Sequence, residues 1–225
     1  MLNTQEHEIQ MKKLLIAIFS NPKLKNELAF KGGTCLYFFH QLNRFSTDLD
    51  FNLVTDNLSV LEITKIIKSS KLEIVDEMNK FNTWFWAVSY GKSTVKIKVE
   101  ISKRGYPDTY EAIDYLGVKL KVMTKDCMFA HKLCAISDRK IMQNRDLFDA
   151  LFMFKNNYPI NEAIIFQRTG KTLRNYFGYL VEYINQNVNV NKILDGLGEV
   201  LDPKVKSYYK NNLLKDLLTE LQIRK

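Results

Sequence analysis

The sequence predicts an α+β protein, with a mixed β-sheet and flanking helices over residues 1–123 and a helical bundle over residues 124–225. Three observations carry that prediction. Residues 5–20 repeat apolar side chains at helical spacing. Residues 47–54 and 94–102 alternate polar and apolar side chains, the period of a strand with one buried face. Past residue 123 the alternation stops and only the helical period remains, so sheet and bundle fall in separate stretches of chain.

Taken in order, Ile9, Met11, Leu14, Leu15, Ile18 and Phe19 form the apolar stripe of the first helix. Asn21-Pro22 ends it, because the residue before a proline is driven out of the helical region. Residues 24–29 read as a second short helix, followed by Phe30-Lys31-Gly32-Gly33-Thr34 and a helical aromatic run over 35–42. Residues 47–54 are a strand, and 58–69 a helix for which Ser59 supplies a cap. Strands follow at 81–90, 94–102 and 118–123, with Trp84 and Trp86 alternating so as to pack one sheet face. Thr124 then caps a helix whose first turn holds Asp126, where a negative charge suits the helix dipole. Helices are expected at 125–137, 144–156, 161–168, 171–186, 189–198 and 203–222, with loops at 156–159 and 196–203.

Composition narrows the class. At 225 residues with 46% apolar and 26% charged, the chain is an ordinary globular one. A chain of this length buries roughly 70–75% of its unfolded surface, so its core needs no disulfide or metal staple. Nine Gly and four Pro argue against disorder and collagen. No stretch approaches the ~18 apolar residues of a membrane span, and the apolar 14–19 is too short for a signal-peptide core. Cys35, Cys127 and Cys134 are odd in number and lack CxxC spacing, which points to a reducing cytoplasm. Thirty-three Lys and Arg against 25 Asp and Glu give a net charge of +8 and a pI of about 9.2. That balance favours a polyanionic partner, although with no dense Lys/Arg block it equally describes a solvated lysine-rich surface.

The chemistry concentrates between Gly32 and Phe51. On a strand, residues i and i+2 share a face, so Asp48 and Asp50 project together while Leu49, Phe51 and Leu53 turn to the core. Adjacent carboxylates repel, and a divalent cation removes that cost; Mg²⁺ in nucleotide enzymes takes one or two carboxylates plus substrate phosphates. Glu100, on the polar face of 94–102, becomes a third carboxylate if its strand lies beside the first, and three suffice for two metal ions. Gly32-Gly33-Thr34 opens a helix, so its backbone N–H groups can approach phosphate without a Cβ in the way. Each piece alone also describes ordinary structure: a solvated strand face, a turn. Arg44 and Ser46 flank the acidic strand, where each could touch phosphate or stabilise the loop. His7, His40 and His131 lack metal spacing, Cys35 reads as buried, and no phosphate-binding P-loop, dinucleotide fingerprint or Gly-x-Ser-x-Gly is present.

The run FKGGTCLYFFHQLNRFSTDLDFNL resembles the signature of the AbiEii/AbiGii-type toxins, within the DNA polymerase β-like nucleotidyltransferase superfamily. Gly32-Gly33, Asp48, Asp50 and Glu100 fill the superfamily's glycine pair, Asp-x-Asp strand and later single carboxylate, a position where this family often has Asp. In DCMFAHKLCAISDRKIMQNRDLFDALFMF the family pattern is matched by Lys132, Ala135, Arg145, Asp146 and Asp149, with His131 where an acid often stands. The likeness covers about residues 28–155. It implies a nucleotidyltransferase core at 1–123 and a helical domain at 124–225 that closes the active-site cleft. It further implies Mg²⁺, two ions with Mn²⁺ as a substitute, on Asp48, Asp50 and Glu100. The triphosphate is then held by Gly32, Gly33, Thr34, Arg44, Ser46 and Lys132. Asp146 orients Lys132 or takes a proton from the acceptor, and Arg145 with Asp149 reads as a helix-surface ion pair at i and i+4. The implied reaction moves NMP from an NTP to a hydroxyl, with RNA (tRNA) as acceptor, in a cytoplasmic, non-membrane toxin paired with an antitoxin protein. The alternatives are nucleotidylation of a protein or small molecule on the same scaffold, and a non-catalytic basic RNA- or partner-binding module.

Overall fold

The structure is a computed structural model that describes residues 3–55, 57–91, 95–197, 201 and 203–225. The chain divides into two compact units, each taken by itself below. Met1–Gln41, Phe45–Gly105 and Thr109–Met123 make the first; Leu42–Arg44, Tyr106–Asp108 and Thr124–Lys225 make the second.

The first unit runs α1 (Thr4–Ser20), α2 (Leu24–Glu27), β1 (Leu28–Lys31), α3 (Gly32–Phe39), β2 (Asp48–Leu53), α4 (Val60–Ser69), β3 (Glu73–Lys80), β4 (Thr83–Ser89), β5 (Ile97–Ser102), β6 (Tyr110–Tyr115) and β7 (Val118–Met123). Its strands form one seven-stranded sheet in the order β3-β4-β5-β2-β1-β7-β6. The sheet is mixed: β2 runs antiparallel to β1 and parallel to β5, and β1 runs parallel to β7. The acidic strand β2 therefore lies mid-sheet, where ladders on both sides fix it.

Helix α1 covers the sheet with a stripe of Met11, Leu14, Leu15, Ile18 and Phe19, all buried. Phe19 meets Phe51 of β2, and Phe51 meets Phe30 of β1 at 5.4 Å between ring centroids. Burying each such ring contributes about 1.5–3 kcal/mol. Ile9, expected on that stripe, is half exposed, and His7 takes the buried position one turn before Met11 instead. Asn21 ends α1 in an extended conformation, as Pro22 requires, and Ser59 with Glu62 forms a complete capping box on α4. Trp84 and Trp86 are buried on β4.

Two strands carry no signal in the sequence. β3 and β6 are the sheet's edges, and both are mostly exposed. An edge strand with little to bury needs no apolar alternation. Strand β1 replaces the end of the short helix expected over 24–29, which stops at Glu27. The expected strand 94–102 begins at Ile97, and its first residue, Thr94, lies outside the described residues.

The second unit contains α5 (Lys125–Asp138), α6 (Asn144–Lys155), α7 (Glu162–Thr169), α8 (Leu173–Asn187) and α9 (Pro203–Ile223). Aromatic contacts tie it together, including Phe129 to Phe154 at 4.7 Å and Phe154 to Phe177 at 6.0 Å. The helix expected over 189–198 is a single turn, Val190–Lys192, followed by tight turns. Residues 198–200 and 202, in the expected loop 196–203, lie outside the described residues. Thr124 does cap α5, but its side chain makes no capping hydrogen bond. Among the described residues, no helix is long and apolar enough to cross a membrane.

Candidate active site

Strand β2 buries Leu49 and Phe51 and leaves Asp48 and Asp50 half-exposed on its other face. Strand β5 does the same, with Val99 and Ile101 buried and Lys98 and Glu100 exposed. The parallel register sets Asp48 beside Lys98 and Asp50 beside Glu100. Neighbouring strands lie about 4.8 Å apart, so the three expected carboxylates occupy adjacent positions of one sheet face. On the other side of β2, Lys31 pairs with Asp50.

Gly32 turns the chain from β1 into α3 with φ of +85°. A Cβ there would collide with the Asp50 carboxylate and lie 2.9 Å from Asp50 Cβ. The sequence thus leaves out a methyl group where the helix start must pass over the acidic strand. Gly33 and Thr34 complete the first turn of α3, whose Lys31 cap position supplies no side-chain hydrogen bond. These first-turn N–H groups and the helix dipole favour an anion at this end. Thr34 is fully buried, and its hydroxyl donates to the backbone carbonyl of Asp48. It anchors α3 to β2, a bond to the strand itself rather than to a phosphate. Ser46 is half-buried in the segment leading into β2. Cys35 is buried, and desolvation, with Glu111 and Asp50 nearby, pushes its thiol well above the usual range, so it is no nucleophile.

The donor types suit a hard divalent cation: three carboxylates on one sheet face, Asp50 in register with Glu100, and the Asp50 carboxylate in the space that Gly32 leaves open. As placed, however, no three His, Cys, Asp or Glu side chains among the described residues close into a cation-holding group.

Sequence reasoning missed His7. Its buried ring bonds through Nε2 to the Thr47 carbonyl at 2.9 Å and through Nδ1 to the Tyr90 hydroxyl at 2.7 Å. The signal was its place one helical turn before Met11 on the buried stripe of α1.

The second unit assembles the other motif residues. Asp146 and Asp149 lie at i and i+3 on α6, hence on one helix face, and both are fully buried. Lys132 of α5 reaches Asp149 at 2.7 Å and Asp146 at 3.5 Å. Arg139 closes on Asp146 at 2.7 Å. Two expectations change here. Asp149 is not the surface partner of Arg145; it is buried and takes a two-pronged pair from Arg44, with Nε and Nη2 each 2.6 Å from a carboxylate oxygen. Arg44 is itself only 4% exposed, so its guanidinium is committed to Asp149 rather than offered to phosphate. Burial alone would push the Asp149 carboxyl up, but the Arg44 guanidinium and Lys132 ammonium outweigh that and hold it below the ordinary range. Asp146 pairs with both Lys132 and Arg139.

The family described as nucleotidyl transferase AbiEii toxin, type IV toxin–antitoxin system, matches residues 13–219. No curated protein matches the sequence. Among solved structures, JHP933 from Helicobacter pylori superposes with a TM-score of 0.63 at 23% identity, covering 100% of this chain and 92% of that one. A candidate nucleotidyltransferase from H. pylori gives 0.64 at 22% identity, over 100% and 95%. An antigenic nucleotidyltransferase-like protein from Paracoccidioides brasiliensis gives 0.50 at 16% identity, over 83% and 92%. These likenesses establish a shared α+β fold.

Proposed function

The chain belongs to the AbiEii family of nucleotidyl transferase toxins of type IV toxin–antitoxin systems, and on that footing we propose that it transfers NMP from an NTP to a hydroxyl of RNA, with tRNA the first candidate, in the cytoplasm. In this reaction the acceptor oxygen attacks the α-phosphorus. A new phosphodiester bond forms, the bond between the α-phosphorus and its bridging oxygen breaks, and pyrophosphate leaves with that oxygen. The hydroxyl proton passes to a carboxylate of the β2–β5 set. Asp48, Asp50 and Glu100 are the residues that would hold Mg²⁺, or Mn²⁺ in its place. When bound, such ions neutralise phosphate charge and favour the ionised acceptor oxygen. Backbone N–H groups at the start of α3, at Gly32 and Gly33, donate to phosphate oxygens, and Thr34 fixes that helix to the strand. Ser46 is a further phosphate contact in this reading. Lys132 supplies a point charge to the triphosphate, and Asp146 orients it. As a toxin, the protein has a cognate antitoxin protein as partner.

The observation that carries this reading is the register of Asp50 beside Glu100 under a glycine that the Asp50 carboxylate would not let become alanine. The +8 charge suits an RNA acceptor. The test is incubation of the full chain with each α-labelled NTP, Mg²⁺ and total RNA. Label on RNA that vanishes in Asp48→Asn and Asp50→Asn is expected. Label on protein would replace RNA as the acceptor, and no label with any NTP would overturn the enzymatic reading.

A further inference from the structure

Asp48 is the first residue of β2, and the ladder from β1 stops short of it. Among the described residues, the pairs with β1 run from Leu28 beside Leu53 to Lys31 beside Asp50, while Asp48 pairs with Lys98 of β5. A change in φ or ψ at Asp48 would re-aim its carboxylate.

Two side chains from two different helices hold the peptide groups on either side of Asp48. Thr34 of α3 donates its hydroxyl to the Asp48 carbonyl, which belongs to the peptide after Asp48. His7 of α1 bonds to the Thr47 carbonyl, which belongs to the peptide before it. A carbonyl oxygen accepts only, so His7 Nε2 carries the proton and Nδ1 accepts from the Tyr90 hydroxyl. The Thr47 carbonyl thereby fixes the tautomer, and Tyr90, 4% exposed, adds the second point that fixes the ring's rotation. The ring is also held edge-on against Tyr90 at 5.4 Å and Phe45 at 6.0 Å between centroids. The residue between the two clamped peptides is Asp48.

We propose that His7 and Thr34 are positioning residues that lock the peptide groups on either side of Asp48 and so aim its carboxylate into the cation site. The inference rests on the reading of Asp48 as a cation ligand. With both flanking peptide planes fixed, φ and ψ of Asp48 are fixed, and so is the direction of its Cβ. A ligand held in this way meets the cation without first ordering itself. Outer partners of metal ligands are worth about 10–100-fold in metal affinity, and acting through the ligand's backbone places these two near the lower end.

The experiment measures Mn²⁺ binding to the full chain by the electron paramagnetic resonance signal of free Mn²⁺, with no nucleotide present. Asp48→Asn is the reference. His7→Phe keeps an aromatic ring in the pocket and removes the donor; His7→Gln keeps an N–H donor at the same reach. Thr34→Val keeps the shape and removes the hydroxyl, which tests the clamp from the other helix should His7→Phe fail to fold. His7→Phe and Thr34→Val are expected to weaken Mn²⁺ binding on the order of ten-fold each, with His7→Gln within about three-fold of the parent. A residue that merely supports the fold would lower the urea midpoint and leave the Mn²⁺ affinity of the folded protein unchanged, and that result overturns the proposal. If Asp48→Asn itself leaves Mn²⁺ binding unchanged, the cation reading fails and the clamp fails with it; if Asp48→Asn abolishes binding while His7→Phe and Thr34→Val do not, the clamp alone fails.

Discussion

Asp149 is fully buried and meets Arg44 through two 2.6 Å contacts and Lys132 through one of 2.7 Å. Breaking such a pair from one side leaves a charge without its main partner in a low-dielectric place. Arg44→Met is therefore expected to lower the unfolding free energy by about 3–5 kcal/mol, read from urea denaturation at neutral pH. Arg44→Lys recovers only part of that, because an ammonium cannot grip both carboxylate oxygens. The sign of the pH effect follows from the lowered carboxyl. Its stabilising contribution is whole above the unfolded-state value of about 3.9 and is lost as pH falls through the lower folded-state value. Asp149→Asn should accordingly flatten the acid limb of a stability–pH curve while lowering its neutral plateau. These roles were not legible in the sequence: Arg44 and Asp149 are 105 positions apart, and nothing local marks either as buried. The Asp48–Asp50 pair was legible, because strand periodicity alone places two carboxylates on one face.

The turn from β1 into α3 depends on one missing methyl group. Gly32 holds a φ of +85°, and a Cβ would strike the Asp50 side chain. Gly32→Ala combines a left-handed backbone strain with that collision, for an expected loss of about 1–3 kcal/mol by urea denaturation. Transfer activity should fall further than stability does, since Asp50 must move to make room. Most elements announced themselves by period or by punctuation: α1 ended at Asn21-Pro22, α4 began at the Ser59 capping box, and β2 and β5 alternated. β3 and β6 did not, since edge strands with exposed faces bury too little to leave a pattern. The turn at Val190–Lys192 shows the opposite error, helical composition without enough continuous apolar face to sustain a helix.

Across the whole chain the excess of eight positive charges acts at a distance. For the proposed RNA acceptor, association releases counterions, so its KM should rise with KCl as a straight line on logarithmic axes. Nucleotide saturation with the acceptor replaced by a short oligonucleotide should show a shallower slope, because fewer phosphates are contacted. Family membership was legible from the Gly32–Phe51 run and from Lys132 with Asp146, and it supports nucleotidyl transfer in a toxin–antitoxin setting. Acceptor identity was not legible, because it depends on surface shape that no short motif encodes. Asp48, Asp50 and Glu100 are proposed to form one cation site. The measurement that addresses it most directly is anomalous scattering from Mn²⁺ in crystals of the full chain grown with a non-hydrolysable NTP. Mn²⁺ is expected within about 2.3 Å of carboxylate oxygens from all three residues; Mn²⁺ bound to the nucleotide with Glu100 turned away, or bound elsewhere on the chain, would rule out a shared site.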